Sequence, residues 1–174
     1  MSVQTSYEDE MQIAMPGMRS DSSLHNTDGG CAASGAVYPG MVVAQVSVAN
    51  DKRVVKQVSA AGDAENIMGI CQFSHYGCSD GFYPAGDAVN VMTFGRIWAV
   101  TADASAPAMN TPATVVTVGA NAGKISAAGG TAVPGWILTG RYTTYKRGDG
   151  TEVKLAEVQI RNQTAAPAAP AQAV

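Results

Sequence analysis

The residues most capable of chemistry in this sequence are Cys71, His75 and Cys78, in the run Cys71-Gln-Phe-Ser-His75-Tyr-Gly-Cys78. Their Cys-x3-His-x2-Cys spacing could offer three ligands to zinc, but a structural zinc site takes four. Cys31 or His25 could supply the fourth only by folding back from far upstream. Structural zinc sites favour tighter pairs at turns, so the cysteines read as core residues beside a surface histidine, and no metal or other cofactor is expected. Three cysteines are an odd count without the dense spacing of a disulfide scaffold, which predicts unlinked thiols and synthesis in a reducing compartment.

Catalysis by a nucleophile, a base and an orienting group would have to draw on two histidines, His25 and His75, and neither lies in a catalytic motif. His25 sits in the polar run Ser22-Ser-Leu-His-Asn26. No nucleophile elbow, phosphate loop or dinucleotide fingerprint is present, so the chain is not expected to be an enzyme. Arg147-Gly148-Asp149 resembles an adhesion tripeptide, but Gly148-Asp149-Gly150 already has a turn role. Asn162-Gln-Thr164 has the form of a glycosylation acceptor, which matters only in a secreted eukaryotic protein.

What would position any functional residue is a β scaffold. The 174 residues are 14% charged and rich in Gly, Ala, Val and Thr. The net charge of −3 gives no electrostatic reason to bind nucleic acid or an anionic membrane. No stretch approaches the length of an apolar membrane helix, and the first ten residues, ending in Glu8-Asp9-Glu10, do not form a secretory signal. From residue 37, short β-branched runs alternate with turn residues: 41–49, 53–58, 67–73, 88–101, 113–118, 133–145 and 152–160. This predicts an all-β fold, a small β-barrel or jelly-roll-like sandwich. Gly95 and Gly140 interrupt the two longest runs and mark expected bulges. Turns are expected at Asn50-Asp51 and at Gly148-Asp149-Gly150. In the last run Val153 and Leu155 alternate in one phase and Val158 and Ile160 in the other, which predicts a face switch with a bulge near Ala156-Glu157. Trp98 and Trp136 fall at strand spacing and are expected in the core or at a subunit interface.

Residues 1–36 show no sustained period and carry breakers at Pro16-Gly17 and Asp28-Gly29-Gly30, so they read as an extended N-terminal arm. The arm is net −4, with Glu8, Asp9, Glu10, Asp21 and Asp28 against Arg19. Its apolar residues are spaced as separate anchors on a surface. The body is then 37–162, and the Ala/Pro-rich tail 163–174 is expected to be disordered. Deleting residues 2–30 is expected to leave the melting of the body nearly unchanged.

Three segments carry a family resemblance: Ala14-Met-Pro-Gly-Met-Arg-Ser-Asp21, Val37-Tyr-Pro-Gly-Met-Val-Val43, and Tyr83-Pro-Ala-Gly-Asp-Ala-Val-Asn-Val-Met-Thr-Phe-Gly-Arg-Ile-Trp-Ala-Val100. As an ordered set they resemble the structural cement, or head decoration, proteins of tailed bacteriophages. The resemblance covers about residues 7–160. It implies a compact β body with an arm, made in the host cytoplasm and assembled on the exterior of the virion capsid, reinforcing contacts between major capsid protein subunits. It also implies a homo-oligomer, a trimer being favoured over a dimer. Tyr7, Met11, Ile13, Met15, Pro16, Gly17, Met18 and Asp21 are the expected contacts with the capsid or a neighbouring subunit. The rival readings are a tail or fibre component that binds a host receptor, and a cupin-like metal protein, which would need inward His and carboxylate ligands on its strands.

Overall fold

The computed structural model describes residues 12–75 and 81–161. Among them are β1 (Asn26–Ala33), β2 (Val42–Ala49), β3 (Lys52–Gln57), β4 (Ile67–Cys71), β5 (Ala88–Val100), β6 (Thr111–Val115), β7 (Ile125–Ser126), β8 (Thr131–Lys146) and β9 (Glu152–Ile160). All seven β-branched runs are strands. Strands β1, β3, β2, β4 and β5 pair in that order, and β1 pairs again with β5, closing a five-stranded barrel. The C-terminal half of β5 leaves the barrel and continues into a second sheet through β9, β8, β6 and β7.

Three apolar clusters follow from this arrangement. Cys31, Val43, Val55, Cys71 and Val91 contribute one residue from each barrel strand and fill its interior. Val42, Ile70 and Met92 point from the barrel toward Trp136, Leu138, Val158 and Ile160 of the second sheet, forming the inter-sheet core. Trp98, Val100 and Leu155 lie on the far face of the second sheet, under Ala14. Both tryptophans are therefore buried, at 2% and 3% exposure.

Gly95 is where β5 changes sheets. Upstream of it, Val89 and Val91 face the barrel interior while Met92 faces the inter-sheet core. Downstream, Ile97 and Ala99 face that core and Trp98 and Val100 face away. The phase flips across one residue with a φ of +118°, a backbone state open to glycine. The expected bulge forms at Gly140, whereas β5 pairs with β9 in unbroken register from Gly95: Leu138 pairs with Val158 and Tyr142 with Ala156, leaving Thr139, Gly140 and Arg141 opposite Glu157.

The last hairpin departs from its sequence reading in two ways. Its irregularity lies on β8, whereas β9 pairs with β5 in unbroken register from Glu157 across Ala156 and Leu155. The apolar phase shifts because β9 is buried on both faces, with Leu155 on one side and Ala156, Val158 and Ile160 on the other. At the turn, only Gly150 takes a positive φ, while the Asp149 side chain accepts from Thr151 N at 2.8 Å. Asn50 and Asp51, by contrast, both take positive φ, the pattern of a type I′ hairpin turn.

β1 corrects the sequence reading of residues 26–33, which placed them in the arm. The breaker Asp28-Gly29-Gly30 does not end the strand. It forms an irregularity inside it, with the register shifting between Asp28 and Cys31 and Gly30 at φ +73°.

A short 3-10 turn, Ala61–Asn66, precedes β4. Asp63 within it is buried, accepts from Ser59 N at 2.9 Å and Ala60 N at 3.0 Å, and pairs with Lys56 Nζ at 2.7 Å. Burial pushes its carboxyl up, but the Lys56 ammonium and the two N–H donors together outweigh burial and hold it below the ordinary value. A depressed folded-state value means stability that is present above the unfolded value, near ~3.9, and is lost as pH falls through the folded value. Asp63→Asn should therefore melt below the intact chain at neutral pH. The gap should close as the pH is lowered below about 4, as read by thermal melts across pH.

Candidate interface around the N-terminal segment

The two Pro-Gly pairs at 16–17 and 39–40 form turns of the same kind. Met18 N donates to Met15 O at 3.0 Å and Met41 N to Tyr38 O at 3.2 Å, with proline at the second position and a positive-φ glycine, +75° and +78°, at the third. This is the type II pattern. The turns nest against each other: a Cβ on Gly17 would lie 2.7 Å from Cys71 O and 2.9 Å from Gly40 N, and one on Gly40 would lie 2.9 Å from Gly17 N. Backbone bonds tie the junction together, from Gly40 N to Cys71 O at 2.8 Å and from Phe73 N to Gly17 O at 2.9 Å. Pro16-Gly17 thus acts as a joint between the N-terminal segment and the barrel.

On either side of this joint, residues 12–21 lie against the second sheet. Gly17 N donates to Trp98 O at 2.8 Å, Trp98 N to Met18 O at 2.9 Å and Ser20 N to Arg96 O at 3.0 Å, so the segment pairs with the edge of β5 opposite β9. Gln12 substitutes for a strand neighbour with its side chain: its Nε2 donates to Lys146 O and its Oε1 accepts from Lys146 N, both at 2.8 Å. Ala14 is 1% exposed over Trp98, Val100 and Leu155.

A polar clasp completes the attachment. Glu157 is 2% exposed. Its carboxylate accepts from the Ser20 hydroxyl, the Thr139 hydroxyl and, at 2.8 Å, Arg141 Nη1. Arg141 also donates to Ser20 Oγ at 3.0 Å, and its guanidinium lies over the Trp98 ring at 4.9 Å. The buried charge is thereby compensated by three donors, one of which belongs to the N-terminal segment. Glu157→Ala should cost about 2–3 kcal/mol, because it removes hydrogen bonds to a charged group and leaves two hydroxyls without that acceptor. Limited proteolysis should then cut within residues 12–21 sooner than in the intact chain.

The proposed contact residues are divided by this geometry. Gly17 is buried, while Met15, Pro16 and Met18 are half-buried and held at the joint or against the sheet. Asp21 is held within its own chain: the Ser23 hydroxyl foremost, with Ser23 N–H and Arg96 at 3.1 Å, keeps its carboxyl below the ordinary value against the opposing effect of burial. Ile13 points outward at 68% exposure. Tyr7 and Met11 lie outside the described residues. Leu24, at 82% exposure, is a further outward apolar side chain on this segment.

Of the groups considered for metal or acid–base chemistry, Cys31 and Cys71 are buried in the barrel interior, and Cys78 lies outside the described residues. His75 is exposed with its ring edge-on to Phe73 at 4.8 Å. His25 is fixed in a local turn, where its Nε2 accepts from Arg19 Nη1 at 2.6 Å and its Nδ1 donates to Ser23 O at 3.0 Å. Among the described residues, no group of three His, Cys, Asp or Glu side chains is placed to hold a metal ion, and no helix is long and apolar enough to cross a membrane.

Comparison with known proteins agrees with a structural role. The sequence model of one family, described as structural cement protein (E217 gp24/Pam3 gp6), matches residues 3–161. No curated protein matches the chain. A solved chain from "The capsid of Myoviridae Phage XM1" is similar in fold, with a TM-score of 0.67 at 18% identity over 94% of this chain and 99% of that one. The family match spans nearly the whole chain, including the joint, the barrel and the second sheet. The chain belongs to the phage structural cement protein family.

Proposed function

We propose that this protein binds the outer surface of the major capsid protein shell and stabilises contacts between capsomers, without catalysing a reaction. The observation that carries the reading is the family match over residues 3–161. The attachment of the N-terminal segment supports it physically. Because residues 12–21 are bonded to the edge of β5 and clasped by Glu157, anything that grips residues 1–13 pulls directly on the folded body. Two linked contacts, one by the body and one by the N-terminus, raise each other's effective concentration and hold a shell more tightly than either alone. Tyr7, Met11 and Ile13 are the anchors suited to enter pockets on the shell or on a neighbouring subunit, with Met15 and Met18 beside them.

The body is proposed to act as a homo-oligomer, a trimer being favoured over a dimer. The β2–β3 hairpin gives this a surface. Beyond Ala44 the β2 edge that faces β4 has no strand partner among the described residues, and Val46 and Val48 are exposed along it without a charged residue on that strand. Such an edge is normally blunted or covered. Sedimentation of the purified protein with undecorated capsids tests the function. Saturable co-sedimentation supports it, and capsids that pellet bare while the protein labels tail structures would favour the receptor-binding alternative.

A further inference from the structure

Beside the β8–β9 turn lies an open cleft of about 440 Å³. Met41 and Val100, both nearly buried, form its floor, and Tyr38 and Val153 form its sides. Lys124, Arg147 and Lys154 stand around that apolar floor with one carboxylate, Glu152, in the lining and a second, Asp149, near Arg147. Among the described residues none of the three cations enters an ion pair. Lys124 Nζ donates to Asn121 Oδ1 at 2.9 Å and Lys154 Nζ to Ala104 O at 3.3 Å, so both keep donors for an anionic partner. An apolar floor with a cationic rim suits a peptide in which apolar side chains flank carboxylates.

This chain carries such a peptide in Tyr7-Glu8-Asp9-Glu10-Met11. When extended, it places Tyr7, Asp9 and Met11 on one side, with Asp9 the short side chain between the two apolar ones, and Glu8 and Glu10 on the other. Its point of attachment is fixed at the cleft's margin, because Gln12 is bonded through its side chain to Lys146, the residue before Arg147. Five extended residues reach roughly 17 Å, so the tether keeps the peptide at high local concentration beside the cleft.

We infer that in the free protein residues 7–11 dock into this cleft of their own chain, with Tyr7 and Met11 toward the apolar floor and Glu8 and Glu10 toward Lys124, Arg147 and Lys154. The anchors are thereby kept off other surfaces until a shell competes for them. The competition rests on the capsid reading, whereas the docking in the free protein does not.

The test uses the full-length free protein carrying Tyr7→p-benzoyl-phenylalanine, mixed in light and heavy isotope forms, irradiated, digested and analysed by mass spectrometry. Docking predicts cross-links to residues 100–102 or 151–154 that join peptides of one isotope form only. Their yield should fall at least fivefold in Arg147→Glu with Lys154→Glu and recover when Glu8→Lys and Glu10→Lys are added. It should also fall between about 50 mM and about 500 mM salt, where exposed charges are screened. Thermal melts of each variant establish that it remains folded, and Lys124→Glu replaces a variant that does not. Cross-links that join light and heavy chains would make a second copy the occupant and overturn the proposal. Cross-links confined to other regions, no cross-link at all, or a yield indifferent to charge reversal and salt would overturn it as well. Loss of capsid binding with intact cross-linking would instead count against the capsid reading alone.

Discussion

Removing residues 2–11 is expected to lower the melting temperature by no more than ~3 °C, the loss of about 1 kcal/mol in a chain of this size, while capsid binding falls at least tenfold. Removing residues 2–30 is expected to lower it by roughly 15 °C or more, or to abolish cooperative melting. The first deletion stops before Gln12 and leaves the described contacts in place. The second strips Ala14 from Trp98, Val100 and Leu155, removes the bonds to the β5 edge and the Ser20 clasp, and leaves β1 with only its last three residues. Exposing large side chains costs about 1.5–3 kcal/mol each, so the loss consumes much of a domain's ~5–15 kcal/mol. This reverses the expectation drawn from the sequence that residues 2–30 are dispensable for the body. The readouts are thermal melts and capsid sedimentation of both truncations. An unchanged melt after the longer deletion would contradict the described packing.

Gly17→Ala and Gly40→Ala are each expected to destabilise the protein by about 3 kcal/mol or more, the sum of a left-handed backbone penalty of ~1–2 kcal/mol and a steric term. The steric term arises because the nearest atoms are backbone atoms of bonded segments, at 2.7–2.9 Å, which cannot move without breaking the joint. Gly86→Ala is the control. Gly86 has a comparable φ of +89° but nothing within 4 Å of the added carbon, so its loss should be near the backbone penalty of ~1–2 kcal/mol alone. Equal losses at all three sites, measured by denaturant melts, would mean that the nesting of the turns adds nothing. A larger loss at Gly17 and Gly40 places the added stability in their contact.

The strands of the body were legible because β-branched runs bounded by turn residues are a direct consequence of half-buried pleated chain. The change of sheet at Gly95 and the bulge at Gly140 were legible because glycine interrupted an otherwise continuous run. β1 was hidden by Asp28-Gly29-Gly30, which reads as a break and is an irregularity inside a strand whose inward residues are only Cys31 and Ala33. The packing of residues 12–21 was hidden for a related reason: it depends on Ala14 and on two glycines, which supply closeness of approach and not apolar bulk. Glu157 gave no local sign of burial, since its partners come from two distant parts of the chain, Ser20 from the N-terminal segment and Thr139 and Arg141 from the β8 bulge. The Pro16-Gly17 pair that reads as a breaker is at the centre of the candidate interface, because a turn residue signals where the chain bends but not what it bends against.

An image reconstruction of capsids decorated with this protein is the most direct test of the proposed role. It should show the barrel and second sheet on the outer surface of the shell where capsomers meet, with residues upstream of Ala14 in contact with the major capsid protein or a neighbouring copy. A shell that remains bare at saturating protein, or density found only on tail structures, would contradict it.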